Sequence, residues 1–190
     1  MRLFLVGPRA CGKTTVGRAL SERLGLSFAD TDDLVATLSG ALAADLLRSR
    51  GEAALRAVES VVVDRLCEGP DRVVATGGGV VLLEKNRGRM RGAGFVVYLR
   101  ADAGTLAARI RAAGAEKRPS LTGEPPDAEV GEVLAVREPL YAAAANVEVD
   151  ATRPVGEVVA AILAALPAGS RGPAPRPTPP PAGRGPCATR

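Results

Sequence analysis

Residues 7–14 read Gly7-Pro8-Arg9-Ala10-Cys11-Gly12-Lys13-Thr14. This is the spacing G-x-x-x-x-G-K-[ST], in which glycines let backbone N–H groups turn inward around phosphate oxygens. An apolar strand pattern precedes it and a helical pattern follows, so a helix dipole is aimed at the same anion. Lys13 has the reach for β- and γ-phosphates, and the Thr14 hydroxyl is a candidate Mg²⁺ ligand. Ala10, Cys11, Gly12 and Thr15 complete the expected nucleotide-binding run. A glycine turn with a chance lysine is the alternative, but it would not require that context. Cys11 reads as a loop filler rather than an activated thiol, since no His or second Cys stands beside it.

A second group of residues suits an acceptor. Asp30 and Asp32 are two apart, so in an extended segment both project to one side. One could support a Mg²⁺ water shell and the other could accept a hydroxyl's hydrogen bond and proton. The same run also reads as a helix N-cap cluster ahead of Leu34–Leu38. Arg56 and Glu59 stand one helical turn apart, either as a held anion-binding arginine or as a solvated surface pair. Gly77-Gly78-Gly79 follows a strand and allows close backbone approach, or makes a plain turn. Arg118 and Arg137 add positive charge. An acid combined with several arginines suits a polyhydroxylated acid: hydroxyls to Asp, carboxylate to Arg.

Composition removes other chemistries. Of 190 residues none is His, which excludes Ser-His-Asp and Cys-His catalysis and His-ligated zinc. Trp is absent and aromatics are 3 %, which speaks against stacking platforms for nucleic acid. Three distant cysteines, Cys11, Cys67 and Cys187, form neither a disulfide framework nor a metal cluster. The apolar start is too short for a signal peptide or a membrane span. A soluble cytoplasmic protein without nucleic-acid or membrane partners, working as a monomer, is expected.

These residues need a scaffold with one loop-bearing edge. Apolar runs at Leu3–Val6, Ser27–Ala29, Val73–Ala75, Phe95–Leu99 and Val147–Val149 alternate with helical patterns at Thr14–Leu24, Glu52–Cys67, Asp102–Ala112 and Pro154–Leu166. The strands lack polar alternation, as parallel strands covered on both faces do. The expected class is α/β, with helices on both faces of the sheet. Residues 114–127 break the pattern with Pro and Gly and read as a surface loop or lid. Residues 167–190 hold eight Pro, four Gly, four Arg and no acid. Without them the chain has 25 − 4 = 21 basic and 21 acidic residues, so the net charge of +4 belongs to this tail. Its composition cannot offset ordering entropy, so a disordered tail behind a single domain at 1–166 is expected.

Taken in order, G-x-x-x-x-G-K-T, Asp-Thr-Asp, Gly-Glu…Leu-Arg…Glu, Gly-Gly-Gly, Arg-Pro-Ser-Leu-Thr-Gly and Arg-Glu-Pro-Leu-Tyr resemble the shikimate kinase family over about residues 1–165. The resemblance implies a three-layer α-β-α P-loop kinase fold with a five-stranded parallel sheet and a closing lid. It implies ATP-dependent phosphorylation of the shikimate 3-hydroxyl, with Mg²⁺ as cofactor and with ATP and shikimate as the small-molecule partners. It carries Asp32 to the shikimate hydroxyls, Arg56 and Arg137 to its carboxylate, and Gly78 and Gly79 to the pocket wall. Lys13 and Arg118 then neutralise charge on the transferring phosphoryl group, Thr14 ligates Mg²⁺, and Asp30 sits near its water shell. Arg111 with Arg153 or Pro154 resembles the family's adenine clamp. Two residues depart from the pattern: Ala10 replaces a usual loop glycine, and Leu55 a usual Phe.

The nearest rival reading is another small-molecule or nucleotide kinase of the same fold, since Ala44-Asp45-Leu46-Leu47-Arg48 is similar to a nucleoside-monophosphate site. Against it, Gly77-Gly78-Gly79 stands where that class has a proline-arginine pair. A non-catalytic regulator using the Pro-rich tail is a further rival. The intact set of Lys13, Thr14 and Asp32 weighs against it.

Overall fold

The structure, a computed structural model, describes residues 1–113, 125 and 127–167. Five strands form the sheet: β1 (Leu3–Val6), β2 (Ser27–Asp30), β3 (Arg72–Ala75), β4 (Phe95–Arg100) and β5 (Val147–Asp150). All pairings are parallel, in the order β2-β3-β1-β4-β5. Seven α-helices connect them among the described residues: α1 (Lys13–Leu24), α2 (Thr31–Ser39), α3 (Ala43–Glu68), α4 (Glu84–Ala93), α5 (Ala103–Ala113), α6 (Val130–Ala144) and α7 (Val155–Ala165).

The strand period of two divides the core. Leu3 and Leu5 pack with Val16 and Leu20 of α1, Leu106 and Ile110 of α5 and Ile162 of α7 on one face. Phe4 and Val6 pack with Val35, Val62, Val63, Met90 and Tyr141 on the other. Every β1 side chain is buried, which is why this strand is a continuous apolar run in sequence. Five β-strands and helices on both faces give the three-layer α/β fold that the sequence implied.

All five strands end on one edge, where the order reverses beside β1, and open α/β sheets place ligands at such a switch point. Register fixes the neighbours there: Leu5 and Asp30 both align with Ala75, so the loops after β1, β2 and β3 share one cleft. α3 is two helices joined at Gly51, whose φ of 80° lies where only glycine rests without strain. This break separates Ala43–Arg50 from the expected helix after it and sets the line of the segment carrying Arg56. The expected lid, with Arg118, and the expected tail lie outside the described residues apart from Pro125, Asp127 and Pro167. No helix of the described residues is long and apolar enough to cross a membrane.

Candidate active site

The loop after β1 closes around the start of α1. Gly12 is the N-cap of α1, with φ 97° and no side-chain cap. The N–H groups of the first turn therefore remain for an anion. Lys13 folds over the loop and donates from Nζ to the carbonyls of Gly7 (2.8 Å) and Pro8 (2.7 Å). Its ammonium thus sits at the loop's mouth. Cys11 is buried beneath it, with Sγ 3.7 Å from Nζ. A cleft of about 590 Å³ opens here, lined by Ala10, Cys11, Gly12, Lys13, Thr14 and Thr15, with Asp30, Asp32, Gly78, Arg109 and Arg153 around them.

The two aspartates do not lie on one extended segment. β2 passes directly into α2, with Asp30 as N-cap. Its Oδ1 accepts from the Asp32 N–H at 3.1 Å. The capping alternative therefore holds for Asp30, and Asp32 occupies the first helical turn. Capping does not exhaust Asp30, since its Oδ2 accepts from the Thr14 hydroxyl at 2.9 Å. One hydroxyl and two carboxylates thus meet where a phosphate chain would end. Hard oxygen donors of this kind fit Mg²⁺, which takes one or two protein ligands and completes its shell with phosphates and water. Asp32 is open to the cleft, but the cleft walls displace bulk water around it. That desolvation pushes its carboxyl above the ordinary value, the Asp30 charge adds to the rise, and Lys13 opposes it.

Arg56 is not a solvated surface residue. Its side chain is 12 % exposed, and Nη1 donates to Glu59 Oε2 at 2.6 Å. Glu52 accepts from its outer side at 3.0 Å. Burial works against the Arg56 charge, but these two acids outweigh it and hold the guanidinium above its usual value. Burial pushes the Glu59 carboxyl up, with Arg56 and Arg137 pulling the other way. Gly77-Gly78-Gly79 makes a turn and also lines the site: Gly77 N–H donates to Thr31 Oγ1 at 2.7 Å, and a Cβ on Gly79 would collide with the Arg56 guanidinium. Arg137 reaches this region from α6. Glu59 feels the charges of Arg56, Asp32 and Arg137, and Arg56 abuts Gly79, so these residues neighbour one another beside the phosphate loop; Arg137 also lines a small cavity with Pro8, Glu129 and Tyr141.

Two arginines of α5 are placed differently relative to the cleft. Arg111 points away from the cleft and pairs with Asp127 at 3.2 Å, its side chain 62 % exposed. Arg109 lines the cleft instead, donating to the carbonyls of Ala151 (2.9 Å) and Ala10 (3.4 Å). Two positions along a helix is about 200°, so only one of the pair can face the site. Arg109 lies one turn beyond buried Leu106 and beside buried Ile110, a phase that was available in the sequence. Arg153 stays at the cleft wall, tied loosely to Asp150 at 3.4 Å. Arg9, which sequence reading passed over, also lines the cleft, lowers the proton affinity of Asp32, and pairs with buried Glu129 at 3.5 Å.

A phosphate-binding loop, a nearby carboxylate and an arginine-rich acceptor lobe on one edge of a parallel sheet define a P-loop small-molecule kinase. The shikimate kinase family model matches residues 9–167. Shikimate kinase 2 of Sodalis glossinidius is 48 % identical over 165 residues, covering 86 % of this chain and 94 % of that protein. Among solved structures, a shikimate kinase from Acinetobacter baumannii in complex with shikimate has a TM-score of 0.79 at 33 % identity, over 85 % of this chain and 90 % of that one. One from Bacteroides thetaiotaomicron has a TM-score of 0.80 at 27 % identity, over 86 % and 97 %. The chain belongs to the shikimate kinase family.

Proposed function

We propose that this chain transfers the γ-phosphoryl group of ATP to the 3-hydroxyl of shikimate, giving shikimate 3-phosphate and ADP. The observation that carries this is the junction of the two lobes: Lys13 and Thr14 on the phosphate side meet Asp32 and, beyond it, Arg56 on the acceptor side. First-turn N–H groups of α1 and the Lys13 ammonium bind the phosphate chain, Lys13 exchanging its two carbonyl partners for phosphate oxygens. Arg109 and Arg153 line the same cleft and are assigned to the base-binding end, together with Arg111 by family resemblance. Arg56, its rotamer held by Glu59, and Arg137 hold the acceptor carboxylate, and Gly78 and Gly79 form the wall.

Asp32 accepts the hydrogen bond of the attacking hydroxyl. Its raised proton affinity suits it to take that proton as the new O–P bond forms and the bond to the ADP oxygen breaks. Thr14 and Asp30 would hold Mg²⁺, which when bound draws charge from the phosphate oxygens. By family resemblance Arg118 supplies a further cation to the transferring group. The cysteines, Cys11 and Cys67 buried as free thiols, fit the reducing cytoplasm.

Asp32→Asn tests the junction. It keeps the size of the side chain and removes its charge. We expect turnover with shikimate to fall by about 10²-fold or more, while ATP binding measured by calorimetry stays close to wild type. A near-normal rate in this variant would remove Asp32 from the reaction.

A further inference from the structure

Thr31 is 1 % exposed and is the first residue of α2, between Asp30 and Asp32. The β2–β3 ladder ends at the pair Asp30 and Ala75, and there β2 turns directly into helix. From that point the Thr31 carbonyl points along the helix axis and is turned away from the neighbouring chain. The hydroxyl serves instead: the buried Gly77 N–H donates to Thr31 Oγ1 at 2.7 Å. A side chain thus continues the attachment one step past the strands. The glycine turn is tied to β1 by Thr76, whose N–H and hydroxyl both donate to the Leu5 carbonyl at 3.1 Å. The bond to Thr31 joins the same turn to α2.

That turn touches both groups assigned to the acceptor. A Cβ on Gly77 would stand 2.5 Å from Asp32 Oδ1. Gly77 has no positive φ, so glycine is needed there for close approach. Two residues on, the Arg56 guanidinium fills the space beside Gly79.

We propose that Thr31 is a positioning residue for the acceptor: its hydroxyl latches the glycine turn to α2 and so fixes the Asp32 carboxylate relative to the seat of Arg56. The inference rests on the reading that Asp32 meets the reacting hydroxyl of shikimate and Arg56 its carboxylate. A ring acid carries those two groups at a set separation, so the protein must hold a matching one. Misplacement by about 1 Å can cost about 10²-fold in rate. Without the Thr31 hydroxyl a buried N–H loses its acceptor, and the turn shifts to find another.

The test compares Thr31→Val and Thr31→Ser with the wild-type protein, in kinetics with shikimate varied and in ATP binding by calorimetry. Thr31→Val keeps the branched shape and replaces the hydroxyl with a methyl group, whereas Thr31→Ser keeps the hydroxyl. We expect Thr31→Val to lower kcat/KM for shikimate about 10-fold or more, as for a buried donor left unsatisfied, with an ATP Kd within about twofold of wild type. Thr31→Ser should recover most of that loss. If Thr31→Val does not fold, Thr31→Ala takes its place; it leaves room for a water at the Gly77 N–H, and the same loss is expected because a water does not anchor the turn. An unchanged kcat/KM for shikimate in the folded variant would overturn the proposal. So would equal weakening of shikimate and ATP, which marks a merely structural role, or a Thr31→Ser variant as impaired as Thr31→Val. Each of these results leaves the functional reading standing as long as the wild type releases ADP in response to shikimate. A wild type that does not do so refutes that reading, and this inference falls with it.

Discussion

The Arg56 guanidinium occupies the space in which a Cβ on residue 79 would have to sit. Glycine at 79 is therefore a condition for the arginine's position rather than a requirement of turn geometry, since its own φ is −96°. Gly79→Ala should push Arg56 from its seat against Glu59. We expect a shikimate KM at least about 10-fold higher, as when a charge-assisted hydrogen bond is lost, and an ATP KM near wild type. Equal weakening of both substrates would mean that the substitution damages the fold.

The different placements of Arg109, at the cleft wall, and Arg111, in an exposed ion pair, predict a contrast within one helix. Arg109→Ala should raise the ATP KM severalfold, since it removes a cleft-lining cation and frees the carbonyls of Ala10 and Ala151. Arg111→Ala should leave it close to wild type, because an exposed ion pair such as Arg111–Asp127 contributes about 0–1 kcal/mol. Kinetics with ATP varied at saturating shikimate read both. A larger effect from Arg111 would reverse the assignment.

Ala10 has a φ of 64°, in the left-handed region. A Cβ there costs about 1–2 kcal/mol. Ala10→Gly removes that strain but loosens the unfolded chain, at a cost of about 0.4–1 kcal/mol. The first effect is the larger, so a net stabilisation of about 1 kcal/mol is expected in urea unfolding. A destabilised variant would show that Ala10 is not strained.

The acidic limb of the rate profile should belong to Asp32. Its proton affinity is raised by desolvation from the cleft walls and by Asp30, so on acidification it takes up its proton earlier than an ordinary carboxylate. Only the deprotonated form accepts the hydroxyl proton. The kcat/KM for shikimate should therefore fall as pH drops through a value above 3.8, and the low remaining activity of Asp32→Asn should lack that limb. A limb that persists in the variant would assign it to another group.

The phosphate loop was legible because its residues are contiguous and its context, strand then helix, is written on either side. The sheet was legible because each strand is a short unbroken apolar run. Asp32 was harder: β2 becomes α2 without an intervening loop, so an extended reading and a capping reading fit the same four residues. The α4 helix carries no apolar stripe, with only Asn86 and Met90 buried, and periodicity could not find it. Arg56 and Glu59 were visible as a pair, but their burial depends on Gly79, which lies on a different element. The Tyr141 hydroxyl meets the Gly78 carbonyl across 63 positions, and no local pattern encodes that.

The most direct test of the central claim is ADP release by the purified full-length protein with Mg²⁺ and ATP over a panel of acceptors: shikimate, quinate, gluconate and AMP. The acceptor lobe predicts shikimate-dependent release, with the phosphate on the 3-hydroxyl in the product. It also predicts that Arg56→Lys, which keeps the charge but loses the planar fork, raises the shikimate KM and spares the ATP KM. Release that follows AMP or gluconate and ignores shikimate would contradict the assignment of this pocket.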